Sequence, residues 1–372
     1  MDARTLILRN PENTITAVIC IIISTGILLV GLWPFDFRPE NKVSWLQDRD
    51  GVQFYGRSII YSPIPFFQYS NIPNKAISIE IWLQPKTEPN HYLPRILSFY
   101  DGQKFENLFV GQWKSELILR RRDLSSKKSE TYKEIGVQDA LPMGQVRFIT
   151  ITSGTQGTSI YIDGRRELFL DYILIPENNR ISDYLILGNS PTGESYWTGN
   201  LYGLAIYNQE LSEEKVFQHF QRWIDRKGFI PSLAEGLFAL YLFNERLGEH
   251  IHDAVNHHLL LMPQRFQALQ KKILVPPWED FQFNRFYLMD ILTNILGFIP
   301  FGFFFSAYLW TKKPRSIYQL LFISLLIGGG LSLSVELIQV YLPTRSSQLM
   351  DVITNIIGTA IGVALFIKTR KS

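Results

Sequence analysis

The chain has a single cysteine, Cys20, among its 372 residues. It can close no internal disulfide, and a cysteine-based zinc site is excluded with it. Asn-x-Ser/Thr triplets are missing throughout. An exported domain in this chain must therefore hold together by its core, as suits a bacterial rather than a eukaryotic secreted domain. Charge of one sign is also missing, with 37 Lys+Arg against 34 Asp+Glu, so a nucleic-acid partner is not expected. Gly and Pro follow no period and large apolar residues are plentiful, which excludes collagen-like, coiled-coil and disordered chains. No nucleophile elbow, phosphate-binding glycine loop or His-Glu-x-x-His motif occurs.

What the chain does have is four long apolar runs, at its two ends. Each approaches or exceeds the ~20 residues that cross a bilayer. Ile15 to Trp33 carries no charge. Tyr287 to Trp310 carries Asp290, Ile317 to Leu342 carries Glu336, and Leu349 to Ile367 carries Asp351. The first run is too long for an ordinary signal-peptide core and no small-x-small cleavage site follows it. It ends instead in Trp33-Pro34-Phe35, an aromatic interface anchor. Arg4 and Arg9, then Lys312, Lys313 and Arg315, then Lys368, Arg370 and Lys371 fall on one side only if all four runs span. This predicts cytoplasmic termini and places residues 34–286 outside. That region holds 28 Lys+Arg and 29 Asp+Glu, and so has no bias towards polyanions.

Between the first and second runs the pattern is β. Ile77-Ser78-Ile79-Glu80-Ile81-Trp82-Leu83 and Arg147 to Thr152 alternate at period two, and Ser159 to Arg165 runs into an Asp-Gly hairpin turn. Many short strands with turn signals predict an antiparallel sandwich. Glu210 to Lys227 reads as one helix, capped by Ser212 with Glu213 and Glu214 in its first turn. The expected division is a first span over 1–37, a β domain over 38–280 and a three-span unit over 281–372.

Ser78 to Pro85, Ser159 to Gly164 and Gly199 to Ser212 together resemble the laminin-G/concanavalin A-like jelly roll. Gly236 to Glu245 resembles a strand that usually opens such domains and is expected here as a rearranged closing strand. The resemblance implies binding of a glycan or an envelope protein, with calcium in some members. Tyr202 replaces a common acidic residue, so no metal is assigned and calcium is left open. Trp113, Tyr196 and Trp197 are the candidate aromatics for stacking on sugar rings, with core packing as the alternative. Asp101, Glu106 and Asn107 are weaker loop-ligand candidates. His250 and His252, close to His257 and His258, suit a metal in geometry but show no third ligand of defined spacing.

The most informative pattern is an internal repeat. Asp290-Ile-Leu-Thr-Asn294-Ile-Leu-Gly297 recurs as Asp351-Val-Ile-Thr-Asn355-Ile-Ile-Gly358. On a helix Asp and Asn at i, i+4 share one face and Gly at i+7 continues it. The third span runs the other way and brings Glu336 and Gln339 to the same level, with Arg345 in the loop above. Asp290, Asn294, Glu336, Gln339, Arg345, Asp351 and Asn355 are thus expected to converge, and Asp36 could join them. Polar groups within spans are costly unless paired and often mark function. A helix-gluing network is the alternative.

Trp33-Pro34-Phe35-Asp36-Phe37, Asp290 to Gly302 with its Phe298-x-Pro300-Phe301-Gly302, then Ser334 to Gln339, then Arg345, then Asp351-Val352 to Gly358 resemble the VanZ-like membrane family, over the first span and residues 285–368. The resemblance implies a cell-envelope role in a bacterial inner or plasma membrane, with membrane lipid as a partner. The expectation is a four-helix membrane protein displaying a lectin-like domain for a glycan or envelope partner, without a cofactor. One alternative is a membrane-embedded enzyme or carrier for a lipid headgroup or lipid-linked sugar, with Glu336, Asp290 or Asp351 as acid or base. Another is a scaffold whose outer domain binds protein.

Overall fold

A computed structural model describes residues 11–68, 76–123, 131–174, 182–225, 236–280, 285–343 and 345–371. Arg4 and Arg9 lie outside the described residues. The chain divides into two compact units. One is Met1–Arg38 with Lys271–Ser372, and the other is Pro39–Gln270.

The second unit is a β-sandwich. Its first sheet runs, in spatial order, β1 (Val43–Trp45), β2 (Val52–Phe54), β14 (Gly199–Tyr207), β5 (Ile77–Pro85), β10 (Arg147–Gly154), β11 (Gly157–Ile162) and β12 (Arg165–Leu170). Its second runs β16 (His250–Ile251), β17 (Leu260–Leu261), β3 (Ile60–Tyr61), β13 (Ser182–Leu187), β6 (Arg95–Tyr100), β7 (Glu106–Trp113), β8 (Glu116–Arg122) and β9 (Tyr132–Val137). The two-residue β4 (Phe67–Gln68) pairs with β13. The alternation in β5 explains the layering. Ile77, Ile79, Ile81 and Leu83 enter the main core, while Trp82 packs with the second cluster on the opposite face. That cluster lies under α2 (Glu213–Asp225), which buries Val216, His219 and Trp223. Asp163 and Gly164 take positive φ of 51° and 78° between β11 and β12, the two-residue turn that an Asp-Gly pair favours. β15 (Leu237–Tyr241), from the expected closing segment, pairs with β14 over Leu204 to Tyr207, while β2 pairs with the same strand over Gly199 to Leu201.

Among the described residues the first unit has four long helices, α1 (Pro11–Leu32), α3 (Arg285–Lys312), α4 (Ile317–Gln339) and α5 (Leu349–Lys371), besides a single turn at Pro277–Asp280. Each is long and apolar enough to cross a membrane. Ser316 and Gln319 form a capping box that starts α4 after the short basic turn. Helices α3 and α5 run parallel and approach at the backbone. A Cβ added at Gly358, Gly362 or Gly302 would lie 2.2, 2.1 or 2.2 Å from the carbonyl oxygen of Ile295, Ile299 or Thr359. Small residues permit this approach between membrane helices, where packing rather than exclusion from water drives association.

Candidate functional site

Helices α1, α3, α4 and α5 and the loop between α4 and α5 enclose a pocket of about 460 Å³. All seven polar residues singled out above line it: Asp290, Asn294, Glu336, Gln339, Arg345, Asp351 and Asn355. Ile23, Ile27, Val30, Phe298, Pro300 and Val335 supply its apolar wall. Asp36, exposed beyond α1, is not among the lining residues.

Each polar group has a local reason for its place. Glu336 is 2% exposed, near the end of α4. Its Oε2 accepts the backbone N–H of Gln348 at 2.8 Å, immediately before α5 begins. The Ser347 side chain is a second hydrogen-bond partner of that carboxyl. The carboxylate therefore caps the start of a helix, where unpaired N–H groups and the helix dipole favour negative charge. Gln339 donates from Nε2 to the Gly31 carbonyl at 2.8 Å. Arg345 donates to the carbonyls of Trp33 at 3.2 Å and Val30 at 3.4 Å. It thus places a cation at the C-terminal end of α1, the favourable end for positive charge. Asn355 donates from Nδ2 to Ser332 Oγ at 2.8 Å. Asp351 opens α5, and Asp290 stands exposed to the pocket one turn before Asn294.

Sequence reasoning did not pick out Ser332, Ser347 or Gln348. Ser332 had a signal, since it lies one turn before Glu336 on the same face of α4. The other two are set by loop geometry, and nothing in the local pattern announces them. Chemically, three carboxylates facing one guanidinium suit a cationic or donor-rich group, and carboxylates in such a setting can also pass a proton.

In the β-sandwich the sugar-stacking candidates separate. Trp197 is not an exposed aromatic. It is 1% exposed, packs 6.0 Å from Phe54 between ring centroids, and donates from Nε1 to Gln112 Oε1 at 2.7 Å. A large apolar ring whose one donor finds a buried acceptor belongs to the core, and it cannot stack on a sugar. Trp113 is half-buried at the β7–β8 turn. Tyr196 is half-buried and pairs with Tyr92, ring centroids 5.5 Å apart. Burial and the adjacent Tyr196 push the Tyr92 phenol above its ordinary value, so that it stays a proton donor.

The loop-ligand candidates are occupied by the fold. Asp101 Oδ1 accepts the N–H groups of Gln103, Lys104 and Phe105. Glu106 meets Arg95 at 3.2 Å and Ser98 at 2.7 Å, and Asn107 donates to Asp183. His258 pairs with Asp253 at 3.0 Å and His252 with Glu245 at 3.5 Å. Among the described residues no three His, Cys, Asp or Glu side chains gather as a metal site.

The family model VanZ/LLP1 matches residues 236–370, and the Concanavalin A-like lectin/glucanases superfamily model matches residues 61–217. The chain joins a VanZ-like region to a concanavalin A-like domain. The VanZ-like match starts at Gly236 and so takes in β15 to β17 as well as α3 to α5, while α1 lies outside it. No curated protein matches the chain. Among solved structures, a Bacteroides ovatus protein provisionally classed as carbohydrate-binding shares 12% identity at a TM-score of 0.41, covering 61% of this chain and 59% of that one. The binding domain of botulinum neurotoxin serotype D shares 14% identity at 0.38, covering 50% of each chain. The type G receptor-binding domain shares 17% at 0.35, covering 50% and 45%. This chain thus spans about half the length of the solved structures it matches.

Proposed function

We propose that this protein is an integral membrane component of a bacterial cell envelope whose VanZ-like helices hold the polar headgroup of a membrane amphiphile. One observation carries the reading. Seven polar side chains from three helices and one loop line a single pocket that also has an apolar wall. A headgroup with an attached hydrocarbon chain matches that division of polar and apolar surface. The basic residues Lys312, Lys313, Arg315, Lys368 and Arg370 support a cytoplasmic α3–α4 turn and C-terminal end. Residues 34–286 then lie outside.

Topology and binding are tested together. Cysteines introduced at Gly154 and Ser346 should label from outside the cell, and one at Ser372 only after permeabilisation. The purified full chain should carry lipid into native mass spectrometry. Glu336→Gln should keep the fold, because an amide still accepts the Gln348 N–H, and should lose the lipid. A folded Glu336→Gln protein with undiminished lipid binding would falsify the headgroup reading.

A second reading concerns the outer domain. The concanavalin A-like match and the Tyr92–Tyr196 ring pair support recognition of a glycan of the envelope. Glycan-array binding by the full chain should fall in Tyr196→Ala and in Trp113→Ala. An array without signal, repeated with calcium, would favour an envelope protein as the partner of this domain.

A further inference from the structure

Asn294 and Asn355 hold the same position in the two copies of the repeat, and the protein serves them differently. In the second copy Asn355 donates to Ser332 Oγ, and Gly358 packs against the backbone of α3. In the first copy the Nδ2 of Asn294 is shielded from solvent and finds no acceptor among the described residues. The matching glycine, Gly297, has no described residue's atom within 4 Å of where a Cβ would stand. The space beside the first copy is the pocket. What α4 gives to one copy, a ligand is left to give to the other.

Asn355 adds a second, independent sign. It is 7% exposed, lines the same pocket, and its Oδ1 meets no donor among the described residues. A desolvated donor and a desolvated acceptor in one cavity each cost free energy until matched. The ligand therefore carries a hydrogen-bond acceptor and an N–H or O–H donor.

Charge narrows the class further. Asp290, Glu336 and Asp351 share the pocket with one guanidinium, and Arg345 spends it on the carbonyls of α1. These carboxylates are not gathered as metal ligands. An organic cation bearing N–H donors complements this set, in which Glu336 is buried and Asp290 and Asp351 are more open.

Resting on the headgroup reading above, we propose that the ligand is a lipid with a primary-amine headgroup of the phosphoethanolamine type. Its ammonium sits among Asp290, Glu336 and Asp351 and donates to the Asn355 Oδ1. Its phosphoryl oxygens accept from the Asn294 amide. A trimethylammonium headgroup has the charge and lacks the donors. A phosphoglycerol headgroup has the donors and lacks the charge.

The test uses the purified, delipidated full chain and four probes. Three are phosphatidylethanolamine, phosphatidylcholine and phosphatidylglycerol with identical acyl chains, and the fourth is soluble O-phosphoethanolamine. Retention is read by native mass spectrometry, and folding by melting temperature. Phosphatidylethanolamine should be retained on the order of tenfold better than the other lipids, the scale of one charge-assisted hydrogen bond. Asp290→Asn, at an exposed position, should remove that preference without changing the melting temperature. Gly297→Leu, which fills the open space, should block retention in a folded protein.

Equal retention of phosphatidylcholine would overturn the requirement for donors. Better retention of phosphatidylglycerol, improved further by Asp290→Asn, would overturn the amine while leaving the headgroup reading intact. Binding of O-phosphoethanolamine as tight as that of the lipid would overturn a lipid source. Retention of no lipid would sink the headgroup reading itself.

Discussion

Two buried glutamates, one in each unit, are held in different ways. Glu80, 0% exposed in β5, has both oxygens occupied inside the sandwich. Oε1 lies 2.8 Å from His219 Nδ1, and Oε2 accepts the Tyr207 hydroxyl at 2.8 Å. Its partners come from β14 and α2, so the trio ties that helix to its sheet. Glu336, 2% exposed, takes its partners from the loop before α5, and beyond them it faces a cavity. Burial is the same in the two cases, and closure is not. A buried charge whose partners are all packed side chains is part of the architecture. One that borders unfilled space beside unmatched amides is what the proposed headgroup would complete.

The contrast can be broken by substitution, and the largest effect belongs to Glu80. Glu80→Ala should cost about 3–5 kcal/mol, because it strands His219 and Tyr207 in the core. Thermal unfolding of the full chain followed by near-ultraviolet circular dichroism reads the loss. Next comes Gly358→Leu, where the added side chain meets the Ile295 backbone and should cost about 1–3 kcal/mol or more. Its counterpart in the other repeat copy, Gly297→Leu, should leave the melting temperature nearly unchanged, and an equal loss in both would refute the asymmetry between the copies. Ser332→Ala removes the acceptor of Asn355 and should cost about 1–3 kcal/mol, with part of it recovered when Asn355 is made Leu as well. Glu336→Gln should cost less than about 1 kcal/mol, since the acceptor for Gln348 remains. If it melts the protein as far as Glu80→Ala does, the two glutamates are of one kind. Arg345→Ala, at an exposed helix end, should cost least, about 0.3–1 kcal/mol.

Much of this was legible before any coordinates. The β5 alternation assigns Ile77, Ile79, Ile81 and Leu83 to one face, and they do form the inter-sheet core. The repeat brings its Asp and Asn residues to one level because helical spacing is a local property, and all four of them line the pocket. Trp197 was not legible as a core residue. Its neighbours are polar and turn-forming, and the acceptor that admits it, Gln112, lies 85 residues away. The unequal treatment of Asn294 and Asn355 was hidden for the same reason. The two stretches look alike, and the difference lies in Ser332 and in which helix stands beside each.

The hydrogen bonds from Gln339 and Arg345 to the last carbonyls of α1 have a consequence for how the protein is made. The ribosome finishes α1 at Leu32 and reaches Arg285 only after the whole sandwich. At about 5–20 residues per second that interval lasts on the order of tens of seconds. On the membrane reading proposed above, α1 spends that interval in the bilayer without the side chains that later cap it. Its freedom from charge between Ile15 and Trp33 makes such a solitary wait tolerable. The pocket is therefore the last part of the protein to exist, and on the reading proposed above a nascent chain cut short before α4 would be anchored with its sandwich complete and would lack the place proposed for a headgroup.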